Sequence, residues 1–536
     1  MKRFMLAAAL AAVALPVSLA AFLAAPARAQ TAPPGTLVLL RTIDSDNYDP
    51  ARSTARSAGE ALTFLGDTLT SLDWDMKTVR PGLATSWTVS PDGKLYTFKL
   101  RDDVTFCDGR RMTADDVAYT IKRFVDPATR SPVRWRAGPV KDVRAVDPTT
   151  VEYELTDPFN ELPLQLSLFF LTIVDKASVE GLGANFGVQG FNGTGPFCWV
   201  SWTPRQEMVM RRHEGYQWGP PVFKNPAPQV DRVIWRVIPD ANTILAAIQS
   251  GQGDATQYVP PIALPSLRNT PGITLSNQPN YFWDYFLGFK VDKPAVNDPV
   301  LRRAMVMAVN REAIAKAVWF GAATPSDSYL NPAVLDFDPK SREEFPAFDP
   351  AGARKLLDGA GWAPGPDGVR AKNGERASFT LYGISDTLNN RAVEAIQADL
   401  KRIGVEMRVQ MWDATVAWGK LATQEFGAFI MSYPYVSASE ALNLYFPSTS
   451  APTPNRMNWK NEQTDAWLKL ARTATDEDVK RDALASVQQQ LTEASVWIPL
   501  VREQLWVVSG RRAHGVRAHG IYGMGIYKGL DITLTP

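Results

Sequence analysis

The sequence predicts an α/β protein, because strand-like and helix-like patterns alternate along the chain. Residues 231–238, DRVIWRVI, alternate apolar and charged side chains as a half-buried strand does. Asp240 then opens a helical stretch at 241–250, ANTILAAIQS, which Gly251 ends, and ATQYV at 255–259 returns as a strand. Two strands joined by a helix predict a βαβ crossover with parallel strands.

A second unit of this kind lies in the C-terminal half. Residues 378–381, SFTL, have the pattern of a strand, and residues 391–403, RAVEAIQADLKRI, that of a helix ended by Gly404. Residues 405–409, VEMRV, follow with period two. One face of the helix carries its apolar side chains, which are Val393, Ile396, Leu400 and Ile403. This unit also predicts a parallel pair of strands.

Asp-Pro pairs predict several helix starts, because Asp caps a helix and Pro fits its first position. The clearest is Asp349-Pro350, which precedes AGARKLLDGAGW.

Composition excludes several classes of protein. The chain has 536 residues, of which 45% are hydrophobic and 21% charged, which excludes intrinsic disorder. Its 57 basic and 56 acidic residues give a formal charge of +1, so no strong field attracts nucleic acid. At roughly 150 residues per domain, this length predicts three or four domain-sized units.

Residues 1–29 have the pattern of a secretory signal peptide. Lys2 and Arg3 precede an Ala/Leu/Val/Phe run, and small residues at 27 and 29 suit a cleavage site. Residue 30 is Gln, so no lipid attachment is expected there. We therefore expect a soluble, exported protein. In an oxidising compartment Cys107 and Cys198 can form a disulfide, or they can remain two buried thiols, and the sequence leaves both open.

Catalytic motifs are absent from the sequence. It contains no GxxxxGK[ST], HExxH, GxSxG or CxxC pattern. His514 and His519 are too far apart for one helical face, and His213, in the charged run RRHEG, is expected at the surface. We therefore predict no catalytic residues, no metal site and no cofactor, although a hydrolase that uses a pair of carboxylates remains possible.

One segment carries a family signature. Residues 81–124 read PGLATSWTVSPDGKLYTFKLRDDVTFCDGRRMTADDVAYTIKRF. In it Tyr96, Phe98 and Leu100 point to one side of a strand, and Thr113 with Asp116 resembles a capping box. This segment strongly resembles the extracellular solute-binding proteins of family 5, the peptide and nickel class that feeds ABC importers. Further matching stretches follow in the family's order, at 193–212, 245–256, 297–314, 353–362 and 395–407.

The resemblance implies a two-lobed periplasmic-binding-protein fold of type II, like cluster C, with an extra insertion domain. Lobe 1 is expected from residues 30–75, 190–278 and 497–536, the insertion from 76–189, and lobe 2 from 279–496. The chain then crosses between lobes near 279 and 496, which would let the lobes close on a ligand.

The resemblance also bears on ligand contacts. Peptide-binding members carry an Asp in a GW-x-x-D-like stretch that pairs with the ligand's α-ammonium. The matching stretch here, residues 426–439, contains no acid, and Val436 falls near the position of that Asp. An unpaired buried ammonium is expensive, so the usual anchor for a free amine is in doubt. Asp284 is an alternative anchor, although it could equally face solvent.

Aromatic side chains are the remaining candidates for the cleft, since Tyr and Trp combine flat apolar faces with a hydrogen-bonding tip. The predicted ligand-binding residues are Asn47, Tyr48, Tyr281, Trp283, Trp412, Tyr433 and Tyr435. Ordinary core packing is the alternative for each aromatic one.

The leading interpretation is a periplasmic subunit that delivers a peptide-like or other small polar solute to an ABC permease and ATPase at the inner membrane. It is expected to be a monomer, with no nucleic-acid partner. The alternatives are a binding protein of this family for a glycoside, an opine-like solute or a blocked peptide, a secreted two-lobed hydrolase, and a peptide-holding chaperone.

Overall fold

The computed structural model describes residues 33–278, 283–521 and 525–535, so the predicted signal peptide and Tyr281 lie outside the described residues. Its strands are β1 Thr36–Arg41, β2 Thr70–Leu72, β3 Val79–Pro81, β4 Ala84–Val89, β5 Leu95–Leu100, β6 Val140–Asp147, β7 Thr150–Leu155, β8 Phe197–Thr203, β9 Glu207–Arg212, β10 Arg232–Val237, β11 Ala255–Thr256, β12 Ile273–Gln278, β13 Trp283–Phe289, β14 Ala323–Pro325, β15 Ala363–Pro364, β16 Arg370–Lys372, β17 Glu375–Arg376, β18 Ser378–Ile384, β19 Glu406–Trp412, β20 Ala428–Pro434, β21 Trp497–Glu503, β22 Leu505–Gly510, β23 Ala513–His514, β24 Ala518–His519, β25 Gly525–Ile526 and β26 Thr533–Leu534.

Helices alternate with these strands through much of the chain. They are α1 Arg56–Leu65, α2 Ala114–Val125, α3 Leu162–Gln165, α4 Lys176–Leu182, α5 Ala241–Gln249, α6 Leu264–Leu267, α7 Pro299–Ala308, α8 Arg311–Val318, α9 Pro339–Glu343, α10 Pro350–Gly359, α11 Thr387–Arg402, α12 Ala414–Ala422, α13 Ala438–Tyr445, α14 Glu462–Thr473 and α15 Glu477–Ala494. As predicted, Asp349 caps α10, where its carboxylate accepts from the backbone N–H of Gly352 at 2.8 Å. None of the described helices has the length and apolar character needed to cross a bilayer.

The first large sheet has the strand order β12-β22-β11-β1-β10-β9-β8. The predicted crossover β10-α5-β11 is present, and both of its strands run parallel to β1, which lies between them. The prediction of parallel strands is therefore confirmed. Strand β1 is buried along its whole length, as expected for the centre of a covered sheet.

The second large sheet has the order β14-β21-β13-β20-β18-β19. Here β18 and β19 pair directly and in parallel, joined by α11, as the sequence predicts. The predicted apolar face of α11 is buried against this sheet, together with Ile403 just beyond the helix. Burying such a face contributes most of the stability of a helix of this length.

A smaller third sheet has the order β4-β5-β7-β6 and packs with α2. In the sequence its strands lie between β1 and β8 of the first sheet. The predicted inward positions Tyr96, Phe98 and Leu100 are buried. The predicted helix start is also present, because the Asp116 carboxylate accepts from the Thr113 backbone N–H at 2.9 Å.

The chain passes between the two large sheets twice. It leaves β12 and enters β13 between Gln278 and Trp283, and it leaves β21 and enters β22 at Gln504. The predicted crossing near 496 therefore differs from the structure by one strand. Residues 497–503 form β21, which pairs with β13 in the second sheet. The chain crosses to the first sheet after this strand, at Gln504. The Asn277 amide, near the end of β12, donates to the Gln504 side chain in the second connection at 2.7 Å.

Cys107 and Cys198 form a disulfide, with Cα atoms 5.7 Å apart. Of the two alternatives that the sequence leaves open, the structure contains the bridge. It links the segment that follows the third sheet's β5 to β8 of the first sheet.

Candidate functional site

The ends of the parallel strands of the first sheet gather at one edge. Strands β1, β10 and β11 are parallel, so they all end at this edge. Strand β22 is antiparallel to β11 and begins here, and β12 ends here opposite Leu505. Both connections to the second sheet therefore leave from this carboxyl edge, which we call the first edge.

The second sheet presents its own carboxyl edge to the same connections. Strands β18, β19 and β20 are parallel and end there, at Ile384, Trp412 and Pro434. Strand β13 is antiparallel to β20 and begins there, and β21 ends there. The first edge and this second edge thus meet the same two connections. In open α/β sheets, ligands bind outside the carboxyl ends of the strands.

A buried network fills the first edge. The Arg41 guanidinium donates to the Tyr48 hydroxyl at 2.6 Å and also contacts the Asp44 carboxylate. Asp44 in turn accepts from the indole of Trp202 at 2.9 Å. Burial alone would raise the pKa of Asp44, but Arg41 and these hydrogen bonds hold it below its usual range. Tyr48 is completely buried, and Asn47 is half-buried with its side-chain oxygen bonded to a backbone N–H at 3.0 Å.

A second part of the first edge carries a buried acid that sequence reasoning missed. Glu60 accepts from the Tyr258 hydroxyl at 2.8 Å and from the Gln257 amide. Burial raises the pKa of Glu60 against the opposing effect of nearby arginines. Arg56 lies 5.1 Å from the centre of the Tyr258 ring. Only the helical position of Glu60, four residues after Arg56, hinted at this cluster.

Aromatic rings occupy the second edge. Trp412 is half-buried and lies 4.8 Å from Tyr382, edge to face. Tyr433 is also half-buried and lies 5.2 Å from Tyr445. Trp412 and Tyr433 thus lie at one edge of the same sheet. The side chain of Trp283 lies outside the described residues, although its backbone begins β13.

Tyr435 and Asp284 form a buried pair beside these rings. The Tyr435 hydroxyl donates to the Asp284 carboxylate and accepts from the Asn331 backbone N–H at 2.8 Å. Asp284 is only 6% exposed, so the alternative that it faces solvent is wrong. Burial raises the pKa of Asp284 to about 6, while Arg502 and Tyr435 oppose that rise.

Glu440 lies one residue beyond the acid-free stretch 426–439 and forms a buried ion pair. One of its oxygens accepts from the backbone N–H of Val436 at 3.1 Å, and the other accepts from the Arg136 guanidinium at 2.7 Å. Both charged side chains are completely buried. Arg136 belongs to the segment between α2 and β6, and Glu440 to α13, so this ion pair joins the third-sheet unit to the second-sheet unit.

A cavity of about 630 Å³ lies beside this ion pair. Its walls come from the third-sheet unit and from α13, α14 and the loop between them, and they include Trp135, Phe159, Glu161, Glu440, Asn443, Lys469 and Arg472. The walls combine apolar rings with buried acids and two exposed basic residues.

Glu161 makes stability depend on pH near neutrality. Burial raises its pKa to about 7, against the attraction of Lys480, and Glu440 and Asp336 add to the rise. Since the unfolded chain binds this proton only near pH 4.3, the folded state binds it first as pH falls. Relative to Glu161→Gln, the wild-type free energy of unfolding should increase as pH falls from 7 to 5. Urea unfolding of both proteins between pH 5 and 7 measures this difference. An identical pH dependence of the free energy of unfolding in the two proteins would contradict the prediction.

His213 is buried, at 4% exposure, and the prediction of a surface position is wrong. Its Nδ1 lies 2.9 Å from the Gly195 carbonyl oxygen, and burial lowers its pKa. The charged run around it misled the sequence reasoning, because β9 ends at Arg212 and the chain turns inward at His213. His213 also lies close to Cys107 and Cys198, but the two sulfurs are already bonded to each other.

Comparison with known proteins places this geometry in context. The family model described as bacterial extracellular solute-binding proteins, family 5 middle, matches residues 78–453. The chain is similar to the glutathione-binding protein GsiB of Escherichia coli K12, with 29% identity over 470 residues, which cover 86% of this chain and 87% of that protein.

Solved structures show the same architecture. NikA of Brucella suis, in complex with Fe(III)-EDTA, has a TM-score of 0.80 at 23% identity, over 93% of this chain and all of that chain. DppA of Helicobacter pylori, in complex with the peptide STSA, has a TM-score of 0.75 at 22% identity, over 93% of this chain and 98% of that one. These likenesses confirm the predicted α/β, two-lobed type II periplasmic-binding-protein fold.

Proposed function

Because the chain belongs to the bacterial extracellular solute-binding proteins of family 5, we propose that it closes on a peptide-like or other small polar solute between the first and second edges. It is a solute-binding protein of the class that serves ABC importers. In this proposal lobe 1 is the first-sheet unit, lobe 2 the second-sheet unit, and the third-sheet unit is the insertion.

The single observation that carries the proposal is that the two carboxyl edges meet across two short connections. Two adjacent connections allow one lobe to rotate against the other, which is how domains close around ligands. The Asn277–Gln504 hydrogen bond joins the end of β12 to the second connection. A ligand between the edges stabilises the closed form only through contacts that the open form lacks.

The side chains at the edges favour an amphipathic ligand. Trp412 and Tyr433 offer half-buried aromatic surface at the second edge, and Arg56 offers charge at the first. GsiB is named a glutathione-binding protein, and two structural neighbours were solved in complex with the peptide STSA and with agropinic acid. These compounds are small and carry several polar groups, which supports a peptide-like solute here and keeps an opine-like solute or a blocked peptide as the alternative.

Location and partners follow from the same family. Family 5 binding proteins are periplasmic and work with ABC permease components. For this chain, removal of residues 1–29 would release a soluble monomer into the periplasm. It would then deliver its solute to an ABC permease and ATPase at the inner membrane without turning it over.

Trp412→Ala and Tyr433→Ala should each weaken solute binding about ten-fold or more, because both remove aromatic surface at the second edge. Titration calorimetry with glutathione, Ala-Ala, a blocked Ala-Ala and methyl glucoside first identifies a bound solute and then measures both variants. Phe348→Ala is the control, since Phe348 is 45% exposed and distant in sequence from the edge strands. Unchanged affinity in both edge variants would overturn the assignment of these rings to the site.

A further inference from the structure

Two buried polar atoms at the second edge have no hydrogen-bond partner among the described residues. They are Oδ1 of Asp284 and Nε of Arg502. The two residues face each other in register on the neighbouring strands β13 and β21. They are 6% and 9% exposed, so water at the surface does not satisfy them. A buried acceptor and a buried donor without partners are rare in folded proteins and call for a physical reason.

The remaining atoms of both groups are engaged elsewhere. The other oxygen of Asp284 accepts from the Tyr435 hydroxyl. The Arg502 guanidinium donates to the Ser328 hydroxyl at 2.8 Å and pairs with Asp327 at 2.5 Å, and Asp327 is 44% exposed. Arg502 thus forms its ion pair with Asp327. One carboxylate oxygen of Asp284 and one guanidinium N–H of Arg502 are left without a partner on paired residues of neighbouring strands.

We propose that Asp284 and Arg502 bind the head group of a zwitterionic solute, with Asp284 accepting from a cationic nitrogen and Arg502 donating to a carboxylate. An amino-acid head carries these two charges on a single carbon, which suits an acceptor and a donor on adjacent strands. The inference rests on the proposed function and names its ligand class. Asp284 would then replace the acid that is missing near Val436, because its strand β13 pairs directly with β20, which leads to Val436.

Charge at the site supports this assignment. The Tyr435 phenol is the hydrogen-bond donor to Asp284 among the described contacts, and Arg502 lowers the pKa of Asp284 from the neighbouring strand while its ion pair is with Asp327. Burial holds the pKa of Asp284 at about 6. An ammonium next to the carboxylate favours its charged form and therefore lowers that pKa. At pH 6 the empty site is half protonated, so binding should release about half a proton.

The test is titration calorimetry at pH 6 in two buffers with different ionisation enthalpies, which measures both affinity and proton release. The probes are glutathione and alanine, which both carry an ammonium and a carboxylate on one carbon, their N-acetyl derivatives, and methyl glucoside. We expect at least one free-amine probe to bind wild type with release of about half a proton. Asp284→Asn should bind it about 30-fold more weakly with no proton release, and the N-acetyl probe should bind wild type equally weakly.

Further variants separate a binding role from a structural one. Arg502→Gln should weaken binding and, because the Arg502 charge lowers the pKa of Asp284, should also raise proton release at pH 6 above that of wild type. Tyr435→Phe keeps the carboxylate but removes its donor, so proton release at pH 6 should rise above that of wild type. Asp367→Asn is the matched control, because this carboxylate is exposed on the same lobe. Thermal unfolding of each variant confirms that it folds.

The outcomes are distinct. Equal affinity in wild type and Asp284→Asn, or binding without proton release, overturns the inference. Binding of only the N-acetyl probes or methyl glucoside leaves the proposed function standing and overturns the inference. Binding of no probe counts against both.

Discussion

Replacing Glu440 with Ala is expected to lower the free energy of unfolding by about 3–5 kcal/mol, because it leaves the Arg136 guanidinium buried without its counter-charge. The ion pair is completely buried, at 2.7 Å, and Gln165 also accepts from Arg136 at 2.7 Å. Glu440 also accepts from the backbone N–H of Val436, so the loop after β20 loses a hydrogen bond as well. Urea unfolding monitored by tryptophan fluorescence measures the change.

Two matched variants test the mechanism of this loss. Glu152→Ala removes an acid from an exposed pair with Arg144 and should change stability by less than about 1 kcal/mol. The double variant Arg136→Met with Glu440→Leu should recover most of the loss, because it removes both charges and keeps apolar volume. A loss below 1 kcal/mol in Glu440→Ala would contradict the role of this pair in joining the insertion to lobe 2.

Replacing both cysteines with Ser is expected to lower the free energy of unfolding by about 4–5 kcal/mol. The disulfide closes a loop between residues 91 apart, and loop-closure entropy in the unfolded chain gives a loss of this size. Replacing both residues avoids a lone thiol. The measurement is urea unfolding of the double variant against the oxidised wild type at the same pH.

The disulfide also has a functional consequence that can be separated from stability. It links the third-sheet unit to β8 of the first sheet. Cysteine-free protein should bind its solute in native buffer with affinity within a few-fold of wild type, because neither sulfur lies at either edge. A stability loss below 1 kcal/mol would contradict the predicted constraint.

Local sequence patterns predicted the fold correctly where the residues of a single helix or strand determine its structure. The α11 face and the inward positions of β5 follow directly from periodicity, since the burial of apolar side chains sets both. The same local reasoning failed at His213 and at the crossing near 504, where the tertiary path of the chain, and not local composition, decides burial.

The site was predicted only in part, for a related reason. Trp412 reaches this edge because the predicted strand β19 ends there, whereas Tyr433 reaches it on β20, which was not predicted as a strand. Arg136 and Glu440 are 304 residues apart, and no local pattern links them. Asp284 and Arg502 become neighbours only through the pairing of β13 with β21, which sequence reasoning assigned to different lobes.

Native mass spectrometry of the protein purified from the periplasm of its expression host tests the central claim most directly. The account predicts a one-to-one complex with a small solute that is released unchanged on denaturation, and loss of this complex in the Trp412→Ala, Tyr433→Ala double variant. A protein that carries no solute, or that converts the solute it is given, would contradict the account.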